Sequence, residues 1–225
     1  ASDEASTWLR ADLARHLATI IEANRCPTAV AVVEEIDRLA TMAEQRCTAL
    51  GPERAASRHR ADGRPIPEHV ADRRFTAPAV LRQEDELQGW AASHARPVAP
   101  TADPQRAAAL AIAGHDQLVV VVGPAGTGKT HTTAVAVGVL QARGRPVIGL
   151  APSGKAADVL ATEAHCPTDT VAGFLTRHRS RPTPWPAGTT VLLDEAGMAA
   201  TADLARLVDL VRVNRWRLVA VGDSE

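Results

Sequence analysis

The spacing of hydrophobic residues changes near residue 100 of this chain. Before that point, apolar side chains recur every three or four residues, which is typical of amphipathic helices. The pattern predicts helices over residues 6–23, 27–47 and 76–92. The second of these carries an apolar stripe, interpreted as packing surface, of Val30, Val33, Ile36, Leu39, Ala40 and Ala43. We therefore expect an α-helical region over residues 1–95.

After a proline-containing linker at residues 95–100, short apolar runs alternate with helical stretches. The apolar runs predict β-strands at residues 117–122, 146–151, 190–193 and 217–221. Helices are predicted at residues 103–114, 129–143, 154–164 and 202–213. This alternation is typical of a parallel sheet covered by helices on both faces. Residues 96–225 are therefore predicted to form an α/β domain.

Composition and charge limit the possible classes of protein without selecting one. The 225 residues are 45% hydrophobic and 23% charged, which is ordinary for a globular protein. No apolar run approaches the roughly 20 residues of a membrane span, so we expect no membrane partner. The formal net charge of −1 gives no independent support for nucleic-acid binding. Cys26, Cys47 and Cys166 lack zinc-ligand spacing and are expected to be reduced thiols of a cytoplasmic protein.

A phosphate-binding motif joins the first predicted strand of the second part to the next helix. The sequence GPAGTGKT at residues 123–130 fits G-x-x-x-x-G-K-[ST] in full. Its glycines let successive N–H groups converge on phosphate oxygens, and the helix points its positive end at them. Lys129 would contact the β- and γ-phosphates, and the Thr130 hydroxyl would bind Mg²⁺. The predicted ATP contacts are Gly123, Pro124, Ala125, Gly126, Thr127, Gly128, Lys129, Thr130 and His131.

Two acidic residues, Asp194 and Glu195, follow the third predicted strand. They would lie at its carboxyl end, where ligands bind in open α/β sheets. Beside a P-loop, Asp194 would hold the metal ion, and Glu195 would orient and deprotonate the attacking water. Together with Lys129 they are the predicted catalytic residues. The alternative is that the acidic pair caps a following helix.

The order of these motifs resembles that of superfamily 1 helicases. It is most similar to the RecD-like branch, including the helicase part of conjugative relaxases of the TrwC/TraI type. The segments that carry the resemblance are Gln105, GPAGTGKT, IGLAPSGKAADVL (148–160), VAGFL (171–175), VLLDEAGM (191–198) and VAVGDSE (219–225). The resemblance implies a RecA-like P-loop NTPase fold. It also implies that Gln105 reads adenine and that Asp223 belongs to the motif that senses the γ-phosphate.

The same resemblance implies a single-stranded DNA contact in the loop after the second strand. The residues that match the family's loop are Pro152, Ser153, Gly154 and Lys155. A hydroxyl and N–H groups at a helix start can bind a backbone phosphate, and Lys155 adds positive charge. An ordinary helix N-cap would use the same residues. Both interpretations remain open at this point.

Other candidate contacts with nucleic acid are weaker. Phe174 could stack on a base or lie in the core. A basic cluster in an expected proline-rich loop could meet phosphates or simply be solvated; it contains Arg177, His178, Arg179 and Arg181. The same alternatives apply to the arginines of the loop at 51–67, namely Arg54, Arg58, Arg60 and Arg64.

The resemblance also implies that the expected function belongs to a larger protein with two RecA-like domains. Superfamily 1 helicases bind ATP between two RecA-like domains, the second of which supplies an arginine finger, and we expect this chain to be a fragment carrying most of the first. The chain contains no tyrosine, which excludes DNA nicking by a tyrosine nucleophile. The favoured function is the ATPase module of a 5′-to-3′ DNA helicase. The alternatives are another P-loop ATPase or kinase, or an interaction module without catalysis.

Overall fold

The computed structural model describes residues 7–21, 28–50, 74–95, 103–124, 126–181 and 185–223. Contacts within the chain group it into two compact units, Ala1–Gln83 and Glu84–Glu225. The predicted linker residues 96–100 lie outside the described residues, as do the arginines of the loop at 51–67.

The first unit contains the predicted helices and a small sheet that was not predicted. Its elements are β1 (Trp8–Leu9), α1 (Arg10–Ile20), α2 (Ala29–Arg46), β2 (Thr48–Leu50), β3 (Arg74–Thr76) and the start of α3 (Pro78–His94). The three strands pair antiparallel in the order β1-β3-β2. These strands were not predicted, because strands of two or three residues are too short to show a period of two.

The core of the first unit is small, and the stripe on α2 is only partly buried. The hydrophobic cluster of this unit contains the buried side chains of Trp8, Leu13, Ala40 and Phe75. Val30 and Val33 are 66% and 65% exposed, so the first half of the predicted stripe is not packing surface. The second half contributes Ala40, which is fully buried, and Ala43, which packs beside it.

The second unit is built on a five-stranded parallel sheet in the order β4-β8-β7-β5-β6. Its strands are β4 (Leu118–Val122), β5 (Val147–Ala151), β6 (Thr168–Thr170), β7 (Thr190–Leu193) and β8 (Arg217–Gly222). Its complete helices are α4 (Pro104–Ile112), α5 (Lys129–Ala142), α6 (Gly154–Ala164), α7 (Val171–Ser180) and α8 (Thr201–Val213), with a 3₁₀ turn at Ala196–Met198. The predicted strands and helices are confirmed.

Both faces of this sheet are covered, as a parallel sheet requires. Successive strand residues point to opposite faces, and β7 shows this directly. Val191 and Leu193 join a cluster that contains Phe174 and Trp216, whereas Leu192 joins the cluster on the other face with Val137. The RecA-like α/β fold class is therefore confirmed.

One part of the second unit differs from the prediction. Arg177, His178 and Arg179 lie in the last turn of α7 and Arg181 caps that helix, so the segment expected to be a loop is helical. Thr170 begins the helix by accepting a hydrogen bond from the N–H of Gly173 at 3.0 Å. The prolines that suggested a loop, Pro182 and Pro184, come after the helix ends.

Candidate nucleotide-binding site

The predicted catalytic residues come together at the carboxyl edge of the parallel sheet. Gly123 follows β4, Asp194 follows β7 and Asp223 follows β8. These strands are adjacent in the order β4-β8-β7, so their carboxyl ends meet at one place. The Gly123 N–H donates to the Gly222 carbonyl at 3.3 Å, which joins the first and last of these loops.

The P-loop takes backbone conformations that favour glycine. Gly126 and Gly128 have φ angles of +78° and +75°, a region in which a Cβ clashes with the backbone. α5 begins immediately afterwards at Lys129. The Thr127 hydroxyl donates to the Pro124 carbonyl at 2.7 Å and stabilises the turn. Ala125 lies outside the described residues.

Lys129 folds back onto its own loop. Its ammonium donates to the Gly123 carbonyl at 2.6 Å and to the Pro124 carbonyl at 2.8 Å. It also forms an ion pair with the Asp223 carboxylate. The lysine side chain is 17% exposed and that of Asp223 is 61% exposed. The positive charge of the P-loop is thus balanced by a residue from the end of β8, and an incoming phosphate would compete with that residue.

Asp194 is half-buried beside this pair. Burial raises the pKa of its carboxyl above the ordinary value of 3.8, because desolvation disfavours the charged form. The Glu195 N–H and the Lys129 charge oppose that shift, and the Asp223 charge adds to it. The charges of Lys129 and Asp223 therefore both act on the Asp194 carboxyl.

Glu195 is exposed and has a left-handed backbone with φ of +49°. Such a conformation is uncommon for a residue with a side chain and is found frequently at functional sites. The following 3₁₀ turn is closed by the Met198 N–H, which donates to the Glu195 carbonyl at 2.9 Å. Glu195 precedes this turn, but its side chain makes no cap hydrogen bond.

Gln105 contacts the P-loop directly. It lies in the first turn of α4, which Asp103 caps by accepting from the Arg106 N–H at 2.9 Å. The Gln105 Nε2 donates to the Thr127 carbonyl at 2.9 Å. A Cβ placed on Gly128 would lie 2.9 Å from that nitrogen. The resemblance implied a base contact for Gln105; its contact with the loop was not foreseen, and no spacing in the sequence indicates it.

The donor set at this edge fits Mg²⁺. Thr130 and His131 are exposed at the start of α5, and the Thr130 hydroxyl and Asp194 carboxylate are oxygen ligands of the type that Mg²⁺ prefers. Within the described residues, no group of three or more His, Cys, Asp and Glu side chains forms a metal cage.

The predicted DNA-contact loop follows β5 at the same edge of the sheet. Ser153 caps α6, since its hydroxyl accepts from the Ala156 N–H at 3.2 Å. Gly154 and Lys155 are exposed, and Pro152 is half-buried. The N-cap interpretation is thus correct for Ser153, and Lys155 is still accessible to an anion.

Two other candidates for nucleic-acid contact have structural roles. Phe174 is 2% exposed within the core of the sheet, which confirms the core alternative and leaves no free face for a base. Arg177 forms an ion pair with Asp169, at the end of β6. That pairing was not predicted, because β6 has the polar sequence TDT and was not recognised as a strand.

Comparison with known proteins gives one matching family and several relatives. A family model described as an AAA domain matches residues 100–225. A conjugal transfer protein TraA from Rhizobium radiobacter is 32% identical over 168 residues, which cover 68% of this chain and 15% of that protein. A probable conjugal transfer protein TraA from Sinorhizobium fredii is 34% identical over 123 residues, which cover 55% of this chain and 11% of that protein.

A conjugal transfer protein TraA from Agrobacterium fabrum is 36% identical over 121 residues, which cover 54% of this chain and 11% of that protein. The chain therefore spans only a small part of the length of the curated relatives it matches. None of the helices within the described residues has the length and apolar character to cross a bilayer.

Proposed function

Because the chain belongs to the AAA domain family and is a superfamily 1 helicase relative of the relaxase–helicase type, we propose that it binds and hydrolyses ATP as the motor module of a 5′-to-3′ DNA helicase. The ATPase domain is proposed to occupy residues 96–225, after an N-terminal region at 1–95. The observation that supports this most is the convergence of Lys129, Asp194 and Asp223 at three adjacent strand ends.

In this proposal each residue has a distinct role toward the nucleotide. Lys129 leaves Asp223 and the loop carbonyls to contact the β- and γ-phosphates. The backbone N–H groups of the P-loop and the start of α5 bind the phosphate oxygens. Glu195, exposed beside Asp194, orients the attacking water and accepts its proton. Asp223, released from Lys129, would respond to the γ-phosphate.

Thr130 and Asp194 would hold Mg²⁺, which neutralises charge on the phosphates when bound. The half-buried position of Asp194 makes its free carboxylate costly, and a cation relieves that cost. Gln105 both supports the P-loop through Thr127 and is proposed to contact adenine. Its amide can donate and accept, as a base edge requires.

DNA binding and partners are part of the same proposal. The relatives are named as conjugal transfer proteins, which supports a parent protein that acts on DNA during conjugation. Pro152, Ser153, Gly154 and Lys155 are proposed to contact single-stranded DNA. A second RecA-like domain in a longer protein would supply an arginine finger, worth roughly 10³ to 10⁵ in rate in such enzymes. The free thiols of Cys47 and Cys166 fit a reducing, cytoplasmic location.

Product analysis with labelled ATP tests this function. We expect slow release of inorganic phosphate by this chain, and no release by Lys129→Ala. Transfer of label to another acceptor would instead indicate a kinase. Single-stranded DNA binding should weaken in Lys155→Ala, whereas nucleotide binding should not change. Rapid, DNA-stimulated turnover by this chain alone would contradict the proposed need for a second domain.

A further inference from the structure

A second candidate site lies at the opposite edge of the parallel sheet. A cavity of about 560 Å³ is open there. Its lining residues precede or begin the strands: Gln117 precedes β4, Pro146 precedes β5, Gly188 precedes β7 by two residues, and Arg217 begins β8. A five-residue strand is roughly 16 Å long, so this edge is well separated from the P-loop.

Four arginines line this cavity without an acidic side chain. They are Arg145, Arg212, Arg215 and Arg217. The described lining includes no Asp or Glu. Arg212 has a marginal ion pair with Asp209, at 4.0 Å between exposed side chains. Asp116 lies between the lining residues His115 and Gln117, and its charge acts on Arg217. The cavity therefore concentrates positive charge.

Arg217 is the most unusual of the four. It is 5% exposed, and its Nε donates to the Asp116 carbonyl at 2.7 Å. Its Nη1 donates to the Ile112 carbonyl and the Thr190 hydroxyl, both at 3.1 Å. Its Nη2 is buried and has no hydrogen-bond partner. The pKa of Arg217 is lowered to about 10, mainly by burial and then by the charge of Arg145, and the charge of Asp116 opposes this shift.

Arg145 is held in place by neutral groups. Its Nη1 donates to the Ala113 carbonyl at 3.1 Å and to the Gly114 carbonyl at 2.5 Å. Burial and the charge of Arg143 lower its pKa. These carbonyls fix the guanidinium without neutralising it. Arg145 and Arg217 are thus both held in place by hydrogen bonds to uncharged groups.

The lining favours phosphate over a nucleobase. Trp216, the one aromatic ring of the described lining besides the His115 imidazole, is 1% exposed and offers no stacking face. Guanidinium groups match phosphate oxygens with paired hydrogen bonds. The cavity volume falls within the range of small-ligand sites. Several cations facing one cavity suit a group with more than one negative charge.

We infer that this cavity binds a phosphate-bearing anion, either a free polyphosphate or a phosphodiester segment of a nucleic acid. Asp116 and Asp209 act on Arg217 and Arg212, and the ligand would add negative charge among the four arginines that line the cavity. This site is independent of the proposed ATPase function, because none of its residues belongs to the P-loop edge.

Binding of two probes to matched variants tests the inference. All variants carry Lys129→Ala, so that the P-loop lysine does not contribute. Inorganic pyrophosphate and a 20-nucleotide oligo(dT) are titrated into the double variant R212Q/R215Q and into the control R206Q. Arg206 is an exposed arginine of the same helix α8 that does not line the cavity. The exposed Arg212 and Arg215 are chosen because substitution of the buried Arg217 endangers folding, and thermal unfolding verifies each variant.

We expect the double variant to bind at least one probe roughly tenfold more weakly, or worse, than the control. Loss confined to pyrophosphate identifies a free polyphosphate site. Loss confined to oligo(dT), with the slope of log affinity against log salt reduced by about 1.4, identifies backbone phosphates. Equal affinities of double variant and control for both probes would overturn the inference, as would the absence of binding to either probe in the Lys129→Ala protein.

Discussion

The two edges of the parallel sheet differ in how their charges are balanced. At the carboxyl edge, Lys129 is paired with Asp223 and lies in the field of Asp194. At the amino edge, four arginines face a cavity whose described lining has no carboxylate. At the first site the P-loop lysine is paired with an internal acid, so a ligand must exchange with that partner. At the second site four arginines line one cavity, so a ligand would add negative charge among them.

The order of strands in the sheet, as well as the local sequence motif, therefore determines which charged side chains lie close together at each edge. β8 lies between β4 and β7, so its carboxyl end brings Asp223 to the P-loop lysine. Its amino end brings Arg217 between Thr190 and the carbonyls of Ile112 and Asp116. The two ends of β8 thus contribute Asp223 to the P-loop site and Arg217 to the arginine cavity.

The largest expected effect is on hydrolysis at the carboxyl edge. Glu195→Gln removes the proposed base while keeping the shape of the side chain. We expect the single-turnover rate of ATP hydrolysis to fall about 100-fold or more, with ATP affinity changed by less than about twofold. Quenched-flow or long-time product analysis, with protein in excess over labelled ATP, measures the rate. An unchanged rate would remove Glu195 from the mechanism.

A smaller effect is expected from the backbone of the P-loop. Gly126 and Gly128 share a positive φ, but only Gly128 has Gln105 close to its Cβ position. Gly126→Ala should lower the free energy of unfolding by about 1 kcal/mol through backbone strain alone. Gly128→Ala should lower it by about 2 kcal/mol, because the Gln105 hydrogen bond to Thr127 is also lost.

Urea unfolding measures this difference, and Gln105→Ala supplies the control. In that background both glycine substitutions should have the same effect. If Gly128→Ala remains more destabilising there, the Gln105 contact is not its cause.

A modest effect is expected when the internal counter-ion is removed. Asp223→Asn frees Lys129 from its ion pair, which is partly exposed and therefore worth at most about 1 kcal/mol. ADP is the proper probe because it lacks the γ-phosphate that Asp223 is proposed to sense. We expect ADP to bind up to about fivefold more tightly. Glu163→Gln, at an exposed acid on α6, is the control, and weaker ADP binding in Asp223→Asn would contradict this account.

The smallest effect concerns pH. Because burial raises the folded-state pKa of Asp194 above 3.8, the folded chain holds its proton more tightly than the unfolded chain. The ionised group therefore destabilises the nucleotide-free protein as pH rises from 3.8 through the raised value. Asp194→Asn should be more stable than the wild type above this window and equal to it below. Thermal unfolding between pH 4 and pH 8 measures the difference, and a lower stability of the variant at pH 8 would contradict it.

Local features of the second unit were predictable from the sequence. The P-loop is a contiguous motif, and the strands β4, β5, β7 and β8 are apolar because both faces of the sheet are buried. β6 escaped recognition because its three residues, Thr-Asp-Thr, are polar and half-buried. The strands of the first unit escaped because each has two or three residues.

Contacts that depend on strand order were not predictable. The Asp223 position was inferred from a resemblance, but its pairing with Lys129 requires β8 to lie beside β4. The arginine cavity combines residues from the starts of different strands, separated by about 70 positions between Arg145 and Arg217. Nothing in their spacing distinguishes them from solvated surface arginines.

Calorimetric titration of MgATP into three proteins tests the central claim most directly. The account predicts a Lys129-dependent binding site in the wild-type chain and the same site, with unchanged affinity, in R212Q/R215Q. In Lys129→Ala it predicts an affinity lower by at least about 30-fold, since truncating one partner of a charged contact costs about 2 kcal/mol or more. Unchanged affinity in Lys129→Ala, or a loss confined to R212Q/R215Q, would contradict the assignment of ATP to the carboxyl edge.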